Sequence, residues 1–385
     1  MQAITATRQN YAWGSTDGIA AVLGEPPSRE PLAEYWLGAH PKSPAQLPDG
    51  GDLLQAITAD PGVLGARGRA TFGDRLPFLL KLLSARTALS IQAHPSRAQA
   101  EEGFARENAA GLALDAPDRN YRDDWPKPEG VLALTEFDAL CGFREAERTQ
   151  DLFAQLGVPA AVDLVSPLHQ ADGIAQVFLQ VLALGDAEGS LISQIVAAAR
   201  DHIDAGTDDP EFQAFCRTAV STAADFPKDP GIIAALLLNR VTLSPGEGLA
   251  LGAGNVHAYL RGTAVEIMSN SDNVLRGGLT SKHVDVDELA RVVDFAASPV
   301  RVLTWQEVSP GLRRFPAEVT EFALWEATDV ELPAVESPRV ALALAPATVT
   351  AGDQVAELTG GGAVFLPADE VAQVSGTVLV ASHNC

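Results

Sequence analysis

Basic residues are scarce in this chain: 27 Lys plus Arg stand against 50 Asp plus Glu, a formal charge of −23. Phosphate backbones and anionic membranes are repelled by such a surface, so neither nucleic acid nor membrane is an expected partner. A small anionic substrate stays open, because a few converging cations make a local positive pocket. Cysteine is sparse too. Cys141, Cys216 and Cys385 are odd in number and scattered, with no C-x-x-C spacing, which excludes a disulfide scaffold and a thiolate zinc site. Long apolar runs are missing, since stretches such as Ile232–Leu238 fall far short of a bilayer. The opening MQAITATRQNYAWG lacks a basic segment followed by an apolar core, and a soluble cytoplasmic protein is expected. With 46% hydrophobic and 20% charged residues over 385 positions, the chain can bury sizeable cores in two or three domains.

What is present changes character along the chain. To about Phe143, short apolar segments are broken by Gly and Pro. A strand-like run at Ala88–Ile91 leads into Gln92-Ala93-His94-Pro95, and another, Gly130–Leu134, follows Lys127-Pro128-Glu129. Between them Arg97–Gly111 reads as a helix capped by Ser96, with Glu101 and Glu102 favouring its first turns. From about Glu147 to Arg240 the period is helical. Leu191, Ile192, Ile195, Val196, Ala199 and Ile203 share one face, Phe212, Phe215, Cys216 and Ala219 another, and Ile232–Leu238 makes a third apolar helix. Glycine turns then return around the strands Leu249–Leu251 and Ala264–Met268. Beyond about Arg301 only short strands and turns are expected, a spacing that favours a β-sandwich or jelly-roll over βαβ units.

Gln92 and His94, two apart on a strand, leave the same face. An imidazole nitrogen is a good ligand for a divalent first-row metal and an amide oxygen a weaker one, although a hydrogen-bonded pair near a strand end fits the same spacing. Glu129 at a strand entry can complete a site or face water. His257, after the glycine turn Gly252–Asn255, is a ligand or an ordinary turn histidine. One amide, one carboxylate and two imidazoles together make an N/O set suited to zinc. Further on, Glu266 lies between Val265 and Ile267, so it faces a cavity or solvent if those two go to the core. Asp272, Arg276 and Lys282 follow on a glycine-rich loop, as anchors or as solvated charges.

The runs that carry most information are Tyr11-Ala12-Trp13-Gly14, Ala88-Leu89-Ser90-Ile91-Gln92-Ala93-His94-Pro95 and Lys127-Pro128-Glu129. Leu140-Cys141-Gly142-Phe143, Gly254-Asn255-Val256-His257-Ala258-Tyr259-Leu260 and the stretch from Ser271 to Lys282 complete them. In this order, from Tyr11 to Val286, they resemble the type I mannose-6-phosphate isomerase family. The resemblance implies a mainly β fold: a cupin-type jelly-roll catalytic domain (1–146 and 241–300), an inserted helical domain (147–240) and a second cupin-like domain (301–385). It implies one divalent metal per chain, zinc, on Gln92, His94, Glu129 and His257, and an essential Arg276. The other pocket residues fall on Trp13, Lys81, Ser90, Lys127, Tyr259, Glu266, Asp272 and Lys282.

The implied reaction is the interconversion of mannose 6-phosphate and fructose 6-phosphate through a cis-enediolate, by a monomer or dimer in the cytoplasm. Glu266 is the first choice for the base, with Lys127 and Asp272 as alternatives. Arg276 and Lys282 would grip phosphate or steady charge, beside Lys81 and Ser90. Four positions depart from the family's usual pattern: Ser96 and Arg97 after the Q-A-H-P run, Thr87, and Pro126 where many members have histidine. Pro126 cannot titrate or donate. Another cupin metalloenzyme, such as an iron oxygenase, is the competing enzyme; an amide-containing site with no further histidine nearby disfavours it. A sugar-phosphate-binding module without catalysis is the competing non-enzyme, disfavoured by four intact ligand positions and Arg276.

Overall fold

The computed structural model describes residues 1–184 and 189–385. Its organising element is one long strand, His257–Ser269. Val265 and Ile267 alternate to one side and are buried in an apolar core with Leu80, Leu82, Phe322 and Phe365. Ala264, Glu266 and Met268 therefore face the other side. The strand bends at Gly262, whose φ of 118° favours glycine, and a Cβ there would lie 2.4 Å from the Glu136 carbonyl oxygen. Past the bend the strand changes partners. Gly262–Ser269 pair with Phe78–Ala85 on one side, and Ala264–Met268 with Glu129–Ala133 on the other. His257 pairs with Gln92, and the segment around Tyr259 pairs with Phe137–Phe143. One strand thus carries a metal-type histidine in its first half and a carboxylate in its second.

The strands sort into three open sheets of eleven, seven and four strands. Among the described residues none closes, and about 30% are helix and 29% strand. The mainly β, jelly-roll expectation is therefore corrected: this is a mixed α/β fold with no barrel, and the cupin description goes with it. Strand spacing misled because it measures how often a chain reverses, not which edges meet. Here the edge strands at the two ends of the main seven-strand path of the eleven-stranded sheet, Leu303–Thr304 and Thr7–Gln9, have no mutual pairing. The seven-stranded sheet takes strands from Gln306 to Ser382 and adds Gln2–Ile4, from the other end of the chain, along Ala363–Leu366.

Between Phe137–Phe143 and Leu238–Leu243 the described chain is helical, from Ala146–Leu156 through Gly231–Leu236. Phe153, Phe178, Phe215 and Ile195 share one core with Ile91, Ala93 and Leu275. That contact braces the short ladder of Gln92–Ala93 against Leu275–Arg276. Leu238 to Arg240, expected in a helix, form a strand paired with Phe137–Phe143, so the last helix is shorter than its apolar run. Ala88–Ile91 is likewise no strand. Its backbone is tied point by point instead, the Leu89 N–H to the Tyr259 carbonyl (2.8 Å) and the Ala88 N–H to the Asp225 side chain (3.0 Å). The helix Arg97–Ala109 starts where expected, and Ser96 and Gln99 cap each other reciprocally. Among the described residues no helix is long and apolar enough to cross a membrane.

Candidate metal centre and substrate pocket

His94, Glu129 and His257 are all buried, with ligand atoms within 4.8 Å of one another. Their hydrogen bonds say what the cluster is for. His94 Nδ1 lies 2.9 Å from the Asn273 carbonyl oxygen, and His257 Nδ1 lies 3.1 Å from that of Asn255. A carbonyl can only accept, so both imidazoles carry their proton on Nδ1 and turn a bare Nε2 lone pair inward. Those nitrogens sit 3.2 and 3.3 Å from Glu129 Oε1 and Oε2. The contacts are ion-pair distances without a hydrogen between them, and His94 Nε2 is a buried atom lacking any hydrogen-bond partner. Acceptors crowded against acceptors in a buried site repel unless a cation lies among them. The donor set, two imidazoles and a carboxylate with second hydrogen bonds to backbone, fits a divalent ion.

Strand pairing supplies the surroundings. His257, Gln92 and Arg276 are successive partners across the ladder, so their side chains leave one face in a row. The Gln92 amide N–H donates to Ser90 Oγ at 3.3 Å, which leaves the amide oxygen as its acceptor. A second row runs from Trp36 through Lys81 to Glu266, again as successive partners. Lys81 Nζ lies 3.0 Å from Glu266 and 3.3 Å from Glu34, and 4.8 Å over the Trp36 ring. Lys127 Nζ contacts Glu129 at 2.8 Å, and the Tyr259 hydroxyl reaches the same carboxylate at 3.5 Å. Trp13 is partly buried on the apolar floor that includes Tyr259.

Electrostatics separate the two central carboxylates. Burial raises both, but the Lys127 ammonium, 2.8 Å away, outweighs it at Glu129 and holds that carboxyl well below the usual range. At Glu266 burial wins over Lys81, with Glu129 and Glu34 adding to it, and the carboxyl is raised. One group stays an anion and the other is brought toward neutral pH, the arrangement that separates a ligand from a base. Burial lowers the guanidinium of Arg276, and Arg122 beside it lowers it further. Partial burial and then Arg276, Arg122 and Lys42 lower Lys282, which stands exposed at the rim. This cationic edge is the local positive patch that a −23 chain needs for an anionic substrate.

Several residues of this pocket were not singled out in the sequence. Glu34 and Arg122 are two of them. Asn273, fully buried, is another: its side chain accepts from the Arg122 and Asp123 N–H groups and donates to Asp123 and to the Trp125 carbonyl. His40 is the most legible omission, because Ala39-His40-Pro41 repeats the tripeptide Ala93-His94-Pro95. A hollow of about 620 Å³ lined by Glu145, Glu147, Arg148 and Asp151 belongs to the helical side and holds none of these groups.

Residues 1–146 match the family model of the phosphomannose isomerase type I catalytic domain. Over 383 residues the chain is 38% identical to the mannose-6-phosphate isomerase of Shigella flexneri, spanning 96% of this chain and 95% of that protein. The chain belongs to the type I mannose-6-phosphate isomerase family. The mannose-6-phosphate isomerase of Rattus norvegicus is 32% identical, with 96% of this chain and 94% of that protein covered. A crystal structure of the Salmonella typhimurium mannose 6-phosphate isomerase, bound to substrate (f6p) and a zinc atom, superposes with a TM-score of 0.88. It is 34% identical and covers all of both chains. Within this family an isomerase pocket is the context in which the rows above are placed.

Burial lowers His40, His94 and His383 to about 4 each. All three are buried neutral, whereas the unfolded chain protonates them near 6.5. Folded pKa values below unfolded ones mean stability that is full above pH 6.5 and is lost as pH falls toward 4. For metal-free protein the unfolding free energy should drop by up to about 1.4 kcal/mol per pH unit for each proton taken up. Denaturant titrations at pH 7.5, 6 and 5 measure the slope; a flat profile would mean the histidines are not held neutral.

Proposed function

We propose that this protein interconverts mannose 6-phosphate and fructose 6-phosphate in the cytoplasm, at a single zinc ion held by His94, Glu129, His257 and Gln92. The observation that carries the metal is the inward-facing pair of unprotonated Nε2 atoms against a buried carboxylate. When bound, the ion supplies positive charge beside the oxygens on which negative charge builds in an enediolate. The protein's own groups do the rest. Glu266, raised in pKa and 3.0 Å from Lys81, moves the proton between C2 and C1, and Lys81 returns positive charge to it. Lys127 and Asp272 are the alternative bases. Arg276, Lys282 and Arg122 hold the phosphate, and Trp13, Ser90 and Tyr259 shape and orient the sugar. As part of this reading, 1–146 with 241–300 form the catalytic unit, 147–240 an inserted helical unit and 301–385 a third unit.

Protein purified without added metal should hold one ion per chain by elemental analysis. Chelation should abolish turnover, and zinc should restore it. Two ions per chain, or activity untouched by a chelator that strips the metal, would reject the site. A chain that binds mannose 6-phosphate and never forms fructose 6-phosphate would be the non-catalytic module instead.

A further inference from the structure

His40 is 3% exposed and follows the strand Glu34–Gly38, whose Trp36 meets the imidazole edge-on at 4.8 Å. Its Nδ1 accepts the Lys42 N–H at 3.2 Å, so the ring proton sits on Nε2. Nε2 points at Asp272 Oδ2 from 3.6 Å, and Lys42 Nζ reaches the same oxygen at 2.8 Å. From the far side, the Asp272 N–H donates to Asp123 Oδ2 at 2.8 Å, and Ser271 Oγ donates to Asp123 Oδ1 at 2.7 Å. The backbone of Asp272 is thus fixed, and the His40 and Lys42 contacts to its carboxylate both fall on Oδ2.

Lys42 is a poor bracket by itself. Its side chain is 58% exposed, on a flexible stem that pays entropy to hold one geometry. The imidazole is different: packing on Trp36, the Pro41 linkage and the Lys42 N–H leave it a single orientation. We propose that His40 is a positioning residue for the reaction, a neutral imidazole whose Nε2–H holds Asp272 Oδ2 so that Oδ1 faces the substrate and takes a hydrogen bond from a sugar hydroxyl. At 3.6 Å the contact is longer than a formed hydrogen bond, so this hold requires it to shorten when substrate enters the pocket. Burial keeps the ring neutral, and the charges that face it, Asp272, Lys81, Lys42 and Lys127, divide between raising and lowering its pKa. This inference rests on the isomerase reading and on Asp272 touching substrate.

Two polar substitutions separate the functions of the ring. His40→Asn keeps an acceptor where Nδ1 receives the Lys42 N–H but has no donor reaching Asp272, whereas His40→Gln places an amide N–H near the former Nε2. If His40 acts through Asp272, His40→Asn should lower kcat by about tenfold or more with metal content unchanged, and His40→Gln should recover most of it. In the double variant with Asp272→Asn, the loss should be no larger than for Asp272→Asn alone. Losses that multiply, equal damage from Asn and Gln, or loss of metal in His40→Asn would overturn the proposal. A fully active Asp272→Asn would overturn it as well, and would do so while leaving the isomerase activity standing.

Discussion

Replacing Glu129 by Gln should empty the metal site and lower kcat/KM by about three orders of magnitude, equivalent to roughly 4 kcal/mol of lost transition-state stabilisation. The substitution keeps the shape, removes the charge and turns one acceptor oxygen into an N–H donor that can occupy a bare Nε2 lone pair. In the native site the carboxylate faces His94 Nε2, His257 Nε2 and Lys127 Nζ at once, at 3.2, 3.3 and 2.8 Å. An amide removes the one anion of the donor set. It also leaves Lys127, 8% exposed, without a counter-charge beside a site that must take up a cation. Both effects repel a divalent ion. Zinc binds the folded wild type and should raise its Tm, but it should do little for the variant. A Glu129→Gln protein with a full complement of metal and near-normal turnover would mean the anion of the site lies elsewhere.

The site was more legible in the sequence than the fold that carries it. Residue types alone left Gln92, His94, Glu129 and His257 open between ligands and ordinary polar groups, and the order of the runs that hold them is what drew them together; strand pairing puts His257 directly opposite Gln92. Glu266 was legible from its neighbours: Val265 and Ile267 on either side are core residues, and a period of two leaves the carboxylate facing the other way. Sheet closure is not a local property. Nothing in Ala323–Thr328 or Ala363–Leu366 says that Gln2–Ile4, from the other end of the chain, will take the edge position. The same limit explains Leu238–Arg240, where an apolar helical period was overridden by pairing to Phe137–Phe143. His40 and Asn273 were passed over because each works through a partner far away in sequence, Asp272 for one and His94 for the other.

Lys81→Met should be the most damaging single change away from the metal ligands, and its damage should depend on pH. Met replaces the stem of the lysine at similar volume, so packing against Trp36 is largely kept. What disappears is the one cation between Glu34 and Glu266, two carboxylates that are 7% and 3% exposed. Breaking a buried pair from one side costs about 3–5 kcal/mol because the remaining charge is uncompensated. The carboxyls escape part of that cost by taking up protons, so their folded pKa values rise above the unfolded ones. The folded variant then binds more protons than its unfolded chain, and its stability falls as pH rises through the raised values. Relative to wild type, the deficit should be largest at pH 8 and should shrink at pH 5.5. Activity follows the same titration, since a Glu266 that stays protonated cannot accept a proton, and kcat at pH 7.5 should fall by a factor of about 10² or more. Denaturant unfolding at the two pH values, with steady-state kinetics on both sugar phosphates, tests the two consequences together. Adding Glu34→Gln to Lys81→Met should return much of the stability and little of the turnover. A deficit independent of pH would show that Lys81 contributes packing there rather than charge.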